Sequence, residues 1–298
     1  MSKNYLDKDF RVDFIGLGAA KCGSTWLADC LRQHPDIYMS ETKELMYFNS
    51  YLQTYEKIDN YRYGKPLKWY HDFFKNAKTN QVKGEITPMY LICEGSVHEI
   101  YKYNPNVKLF AILRNPVDKS YSHYLYYRQR GYIDSPTFRE AIKDEPSVLD
   151  NSLYFEQLKP YFELFPRENI KIVFYEDLKK DNKALLADIE HFLGVKTFYP
   201  ESIEKRSNAT GEPRLRFVNK MLMRIRAFIH SNNLQAVLPI LRKTGIVPLA
   251  EYIRDHLNAK KMDKKAIEPA LREELKAYFR EDVSNLEKLL ETDLSHWK

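Results

Sequence analysis

Three cysteines in 298 residues, Cys22, Cys30 and Cys93, leave little scope for covalent bracing. They form no C-x-x-C pair and no zinc-ligand spacing, and so sparse and odd a set fits a reducing compartment where thiols act as small apolar side chains. Long apolar runs are missing too. Leu109 to Leu113 is among the longest, far short of the ~18 residues of a membrane span. The opening MSKNYLDKDFRVDF is charged and has no apolar h-region, so it does not read as a secretory signal. Glycine (10) and proline (14) are scarce, which excludes collagen-like and low-complexity chains, and no internal repeat or linker-like stretch interrupts the sequence. These absences predict a soluble, cytoplasmic protein. What is present is 44% hydrophobic and 30% charged residues, a net charge of +6 and 22 tyrosines. The composition is that of a globular protein with ample core. The modest basic excess permits a polyanionic ligand without pointing to nucleic acid.

Strand-like and helix-like segments alternate in the first two thirds. Asp13 to Gly18 is a short apolar run ending in glycine, and Leu27, Cys30 and Leu31 follow at helical spacing until Pro35. Gln81 to Ile86 is a weaker strand. Val107 to Leu113 is nearly continuous in apolar residues, as in a buried parallel strand. Val117 to Arg130 reads as a helix capped by Gly131, Ile170 to Tyr175 as a strand, and a further helix runs from about Asn182 to Gly194. Strands separated by helices predict an α/β fold, a central parallel sheet covered on both faces. From Pro213 onward the pattern is mostly helical, ending in a charged amphipathic helix from Glu268 to Glu291. A single domain over 1–298 is the simplest account, with an α/β core over about 13–200 and a mostly helical portion over about 201–298.

The strongest local signal is Gly16 to Leu27, GLGAAKCGSTWL. A buried strand enters a turn of small residues, and the turn opens a helix. Free backbone N–H groups around Gly23, Ser24 and Thr25 make a ready anion site. Gly23 allows close approach, Lys21 adds a charge, and Ser24 and Thr25 can cap the helix or donate hydroxyls to a phosphate. A plain strand–helix turn with an exposed lysine gives the same pattern. A P-loop kinase or ATPase would show G-x-x-x-x-G-K-[ST], and here Lys21 precedes Gly23 by two positions, which counts against an NTPase.

Lys21-Cys-Gly-Ser-Thr-Trp-Leu27 resembles the loop with which sulfotransferases hold the 5′-phosphosulfate of 3′-phosphoadenosine 5′-phosphosulfate (PAPS). A second segment, Leu113-Arg-Asn-Pro-Val-Asp-Lys-Ser-Tyr-Ser-His-Tyr124, is similar to that family's 3′-phosphate segment, in which an Arg and a Ser eight residues on grip the phosphate. Arg114 and Ser122 occupy those places. Gly84 to Tyr90, Tyr161 to Leu178 and Asp293 to Trp297 resemble further family segments. Arg206 to Arg214 is looser in its match to the late loop over the nucleotide, where Arg206 and Arg214 would meet phosphate and Gly211 would allow close approach. A solvated basic loop reads as well there. The resemblance implies a P-loop-like three-layer fold, with Lys21, Cys22, Gly23, Ser24, Thr25, Trp26, Arg114, Ser122, Arg206, Gly211 and Arg214 as donor-binding residues.

Sulfuryl transfer needs a positioned acceptor, a base for its proton and neutralisation of charge on the leaving oxygen. It requires no metal, and no metal-ligand cluster is expected. Lys21 is the expected leaving-group partner. In the cytosolic steroid and phenol branch the base is a His before a Thr-Pro step, but here that stretch is Glu85-Ile86-Thr87-Pro88. The glycan-modifying branch instead uses a Glu in a segment that Thr42-Lys-Glu-Leu-Met-Tyr-Phe48 resembles, which places Glu44 at the base position. Such a base needs its pKa raised by burial or a like charge. The plainer reading of Glu44 is a surface carboxylate paired with Lys43. Ile86 departs from a Lys found in some glycan sulfotransferases, so no second catalytic lysine is expected there.

The expected acceptor bears a hydroxyl or an amine: a carbohydrate, lipid, sterol or other small molecule. Tyr51, Tyr55, Tyr61, Tyr63, Trp69 and Tyr70 can stack on a ring or fill core. Leu215, Val218, Leu222, Ile225 and Ile229 form one apolar helical face amid Arg216, Lys220, Arg224 and Arg226. That helix either packs with a solvated basic face or makes a peripheral contact with an anionic membrane. Two other functions stay open: a P-loop nucleotide or nucleoside kinase, and a non-catalytic protein binding anions or membrane surfaces.

Overall fold

A computed structural model describes residues 10–53, 57–60, 62–204, 211–213, 244–245, 249, 252, 259–261 and 266–298. The chain divides into two compact units interleaved along the sequence. The first comprises Met1–Lys119, Asn151–Asn208 and Leu275–Lys298, the second Ser120–Asp150 and Ala209–Glu274.

The first unit is built on a five-stranded parallel sheet. Its strands are β1 (Phe14–Gly18), β2 (Ile37–Met39), β5 (Val82–Ile86), β6 (Lys108–Leu113) and β7 (Ile170–Phe174), in the order β2-β5-β1-β6-β7. Phe14 pairs with Gly84 on one side and Lys108 on the other, and Leu109 pairs with Ile170. The central strands are apolar because helices cover the sheet: Phe14, Ile15, Leu17 and Leu109 to Leu113 are all buried. The expected strands fall within a residue or two of those observed. β5 reads weakly in the sequence because Lys83, Gly84 and Glu85 interrupt it, yet Gly84 and Glu85 are buried and the strand lies next to β1.

Helices flank this sheet. They include α1 (Ser24–Gln33), α2 (Leu67–His71), α3 (Met89–Ile92), α4 (Ser96–Tyr103), α8 (Tyr154–Leu164), α9 (Tyr175–Lys180) and α10 (Asn182–Leu193). Gly194 closes α10 at φ 83, as the sequence predicts. A short antiparallel hairpin, β3 (Tyr51–Gln53) with β4 (Lys57–Asp59), is an addition to the expected elements. The last helix, α11 (Pro269–Leu290), lies within a residue of its expected span. Its Phe279, Val283 and Leu286 are fully buried, and Asp282 accepts from the amides of Tyr154 (2.9 Å) and Phe155 (3.0 Å) at the start of α8. Trp297 is buried against Phe174, 5.6 Å between ring centroids. The C-terminal residues thus complete the core of the first unit.

The second unit takes up α5 (Pro116–Arg130) from Ser120 onward, with α6 (Phe138–Asp144) and α7 (Ser147–Asp150). A capping box of Thr137 and Glu140 starts α6, and Phe138 packs on Tyr121 and Tyr124. Here too β8 (Gly211–Pro213) pairs antiparallel with β9 (Ala259–Lys261), a strand pair inside the stretch expected to be mostly helical. The basic amphipathic segment 214–229 lies outside the described residues. Among those described, no helix is long and apolar enough to cross a membrane.

Candidate functional site

The candidate site forms where β1 ends. In this strand order the chain leaves β1 toward β2 and β5 on one side and later adds β6 on the other. The carboxyl end of β1 is therefore the switch point at which α/β sheets take ligands. From Gly18 the chain turns through Lys21, at φ 69, and Gly23, at φ 97, into α1. Gly23 is required there on two counts. Its φ is left-handed, and a Cβ would come within 2.7 Å of Leu178 Cδ2. Lys21 holds the same region with a side chain, at a cost of about 1–2 kcal/mol.

Ser24 and Thr25 do not cap α1. Gly23 is the N-cap residue, and no side-chain hydrogen bond closes the helix start, so its first amides keep their positive end for an incoming anion. Cys22 and Trp26 turn inward. The Cys22 thiol is fully buried, donates to the Ala20 carbonyl at 3.5 Å and is pushed up to about 11 by burial. Trp26 donates its indole N–H to the Ile203 carbonyl at 2.9 Å. These two side chains brace the turn from behind, leaving backbone toward any ligand.

Arg114 follows β6. One guanidinium nitrogen reaches the Lys21 carbonyl at 3.4 Å, and the group lies 4.8 Å from the centroid of the Tyr175 ring. Its Nε is buried and has no hydrogen-bond partner. An orphaned cationic donor beside an open helix start is what a phosphate oxygen would satisfy, so these residues fit an anionic nucleotide. Behind them, Tyr154 donates to the Arg114 carbonyl at 3.0 Å. Lys119, 1% exposed, donates to the Asn151 carbonyl, and burial brings its ammonium down to about 7.

The segment with Glu44 meets the same helix start. Lys43 Nζ donates to Thr25 Oγ1 at 3.0 Å and to Glu44 Oε1 at 2.9 Å, which brings Glu44, Lys43 and Thr25 together. The Glu44 side chain is 37% exposed and paired with a cation, whereas the expected base would be buried or set beside a like charge. Glu44 and Met46 both have left-handed φ, 62° and 52°. Such backbone persists only where surroundings over-determine it, and it clusters at functional sites. Arg62 donates to the carbonyls of Glu44 (2.8 Å) and Leu45 (3.2 Å), and Asn60 to those of Met46 (2.5 Å) and Asn49 (2.6 Å). Sequence reasoning misses Arg62 and Asn60, since nothing in their neighbourhood marks them as more than hairpin residues.

Ser122 is buried on α5 in the part belonging to the second unit, and the neighbouring His123 packs edge-on to Tyr127, 4.2 Å between centroids. Gly211 opens β8. Arg206 and Arg214 lie outside the described residues.

The family model of the sulfotransferase domain matches residues 11–212. The chain belongs to the sulfotransferase family. This sulfotransferase is 26% identical to a crystallised sulfotransferase from Alicyclobacillus acidocaldarius, with a TM-score of 0.69 and coverage of 97% of this chain and 99% of the other. It is 23% identical to the membrane-associated sulfotransferase kil1 of Dictyostelium discoideum, over 61% of this chain and 56% of that protein. It is 27% identical to heparan sulfate glucosamine 3-O-sulfotransferase 5 of Homo sapiens, over 77% and 67% respectively. To the 3B1 enzyme of Mus musculus it is also 27% identical, over 61% and 46%. The chain thus spans about half the length of several curated relatives it matches. The matched family stretch contains the phosphate turn, Glu44, Arg114, Ser122 and Gly211, whereas Arg214 falls beyond it.

Proposed function

We propose that this sulfotransferase moves a sulfuryl group from PAPS to a hydroxyl of a carbohydrate, with Glu44 as general base. The observation that carries the reading is the junction of Lys43, Glu44 and Thr25: it sets a carboxylate at the same helix start that offers its amides to an anion. The α1 amides and Lys21 hold the 5′-phosphosulfate, with Gly23 giving the close approach. Arg114 takes the 3′-phosphate, and Ser122 is assigned to the same phosphate by its place in the motif. Arg206, Gly211 and Arg214 stand as residues of the covering loop.

In the reaction the acceptor oxygen forms a bond to sulfur, and the bond from sulfur to the bridging oxygen breaks. The acceptor proton passes to Glu44. The negative charge left on adenosine 3′,5′-bisphosphate is met by Lys21 and the helix amides. Lys43, bonded to Glu44 and Thr25, keeps the carboxylate at the helix start. A carbohydrate is preferred over a sterol or phenol because Glu44 stands where the glycan-modifying branch has its base, and because heparan sulfate enzymes are among the relatives. A cytoplasmic site of action is supported by three buried, unbridged cysteines.

The test is direct. Adenosine 3′,5′-bisphosphate raises the melting temperature and ATP-Mg does not. With labelled sulfate donor, a panel of oligosaccharides, sterols, phenols and lipid-linked hydroxyls gives incorporation into the oligosaccharides. Glu44→Gln keeps bisphosphate affinity and loses transfer by about 10²–10⁴-fold. A fully active Glu44→Gln enzyme refutes the base assignment, and stabilisation by ATP-Mg instead of the bisphosphate would favour a kinase.

A further inference from the structure

We infer that Glu85 is a positioning residue for catalysis: its buried carboxylate holds the backbone that carries Glu44. The inference rests on the proposed role of Glu44 and extends it to a residue of the neighbouring strand. Glu85 stands near the end of β5 and is 1% exposed. One oxygen accepts from Tyr70 Oη at 3.0 Å and Tyr90 Oη at 2.9 Å. The other accepts from Thr87 Oγ1 at 2.7 Å and the Leu45 amide at 3.3 Å.

The donors do not stop at Glu85. Thr87 Oγ1, having given its proton to Glu85, accepts from the Met46 amide at 3.4 Å. Tyr90 Oη likewise accepts from the Tyr47 amide at 2.9 Å. Three successive amides, 45, 46 and 47, therefore end on this carboxylate or on hydroxyls it orients, while the Glu44 amide goes to the Ile86 carbonyl at 3.3 Å. The Leu45 amide reaches the carboxylate itself and the next two reach it through one hydroxyl each, so a stretch with left-handed residues is tied to a single anion of the protein. The opposite side of the segment, its carbonyls, is taken by Arg62 and Asn60.

Each hydroxyl has one proton and lone pairs to accept with, and a proton given to Glu85 leaves those lone pairs turned to the loop amide. A carboxylate accepting four donors imposes that direction. A neutral amide in its place has a single accepting oxygen: kept on the two tyrosines, it sets its NH2 against the Leu45 amide, which loses its acceptor, and against the Thr87 proton, which must turn away. Burial alone pushes the Glu85 carboxyl above the ordinary range, and the four hydrogen bonds oppose it. So costly an arrangement, placed directly beneath the left-handed stretch, accounts for how Glu44 is kept in its conformation.

The experiment compares Glu85→Gln, Thr87→Val, Thr87→Ser and Glu44→Gln, with binding-competent enzyme counted by titration with adenosine 3′,5′-bisphosphate. Glu85→Gln is expected to keep the bisphosphate Kd within about two-fold and to lose kcat by about 10²-fold, the cost of misplacing a catalytic group. Thr87→Val follows it in direction, and Thr87→Ser restores activity because the hydroxyl is back. The double variant Glu44→Gln/Glu85→Gln loses no more than Glu44→Gln alone, since the two act as one unit. Should Glu85→Gln fail to fold, the Thr87 pair decides. Wild-type kcat in Glu85→Gln beside an inactive Glu44→Gln overturns this inference alone. Equal losses of kcat and bisphosphate affinity overturn it as well, marking a general collapse. An active Glu44→Gln removes the base and this inference together.

Discussion

Lys119 offers a quantitative test of the packing behind the phosphate turn. The residue is 1% exposed, and burial moves its ammonium from an ordinary 10.5 to about 7. A lowered pKa means the folded chain binds this proton less tightly than the unfolded chain. Between those two values the unfolded state carries more protons, so stability rises with pH. At a limiting slope of about 1.4 kcal/mol for each step of one in pH, the contribution grows by about 2 kcal/mol between about pH 7 and about pH 9. Near pH 7 the lysine costs the fold about 4 kcal/mol relative to a group that does not titrate. Lys119→Met removes that cost and leaves the Asn151 carbonyl without its donor, a loss of about 1–3 kcal/mol. The variant should therefore be more stable than wild type by about 1–3 kcal/mol near pH 7, with the gap closing by about 2 kcal/mol near pH 9. Denaturant unfolding of both proteins at the two pH values measures this, and other titrating groups cancel in the difference. A gap independent of pH, or a variant clearly less stable near pH 7, refutes the reasoning.

Other expectations follow from single contacts. Arg114→Met should weaken adenosine 3′,5′-bisphosphate by about 10–100-fold in calorimetry, since it removes a charge-assisted donor whose Nε is otherwise unpartnered. Trp26→Phe loses the bond to the Ile203 carbonyl and should cost about 1–2 kcal/mol in chemical denaturation, with catalytic rate per folded molecule unchanged. Asp282, raised from 3.8 to about 6 by burial against the pull of backbone amides, gives stability that is full below about pH 4 and is lost as pH rises through about 6. Asp282→Asn should flatten that acid-side slope in a pH series of melting curves.

The parts of the fold legible in the sequence are those where local pattern and tertiary role coincide. Leu109 to Leu113 is apolar throughout because both faces of β6 are covered, and Gly194 ends α10 because its backbone is left-handed. The phosphate turn is legible through Lys21 and Gly23 for the same reason. Cys22 and Trp26 read as ligand contacts from their place in the motif, but side-chain direction is set by the packing of Tyr154 and Ile203, more than a hundred residues away. Glu85 and Lys119 sit in segments that read as a weak strand and a helix with no marked buried face. Their burial depends on Tyr70, Tyr90 and Asn151, partners supplied by other elements, and no local periodicity carries that information. Glu44 is legible through resemblance. Its left-handed backbone and the clamp around it are not.

The contribution of α11 to the first unit has a consequence for synthesis. Asp282 meets amides at Tyr154 and Phe155, and Phe279, Val283, Leu286 and Trp297 fill core around strands made long before them. A fragment ending at residue 212, where the family match stops, would expose that apolar surface and strip the start of α8 of its cap. The first unit is thus a structure of high contact order whose closing piece is made well after the strands it covers. A nascent chain must hold an open hydrophobic seam until α11 has been made, and chaperone dependence should be greatest in that interval.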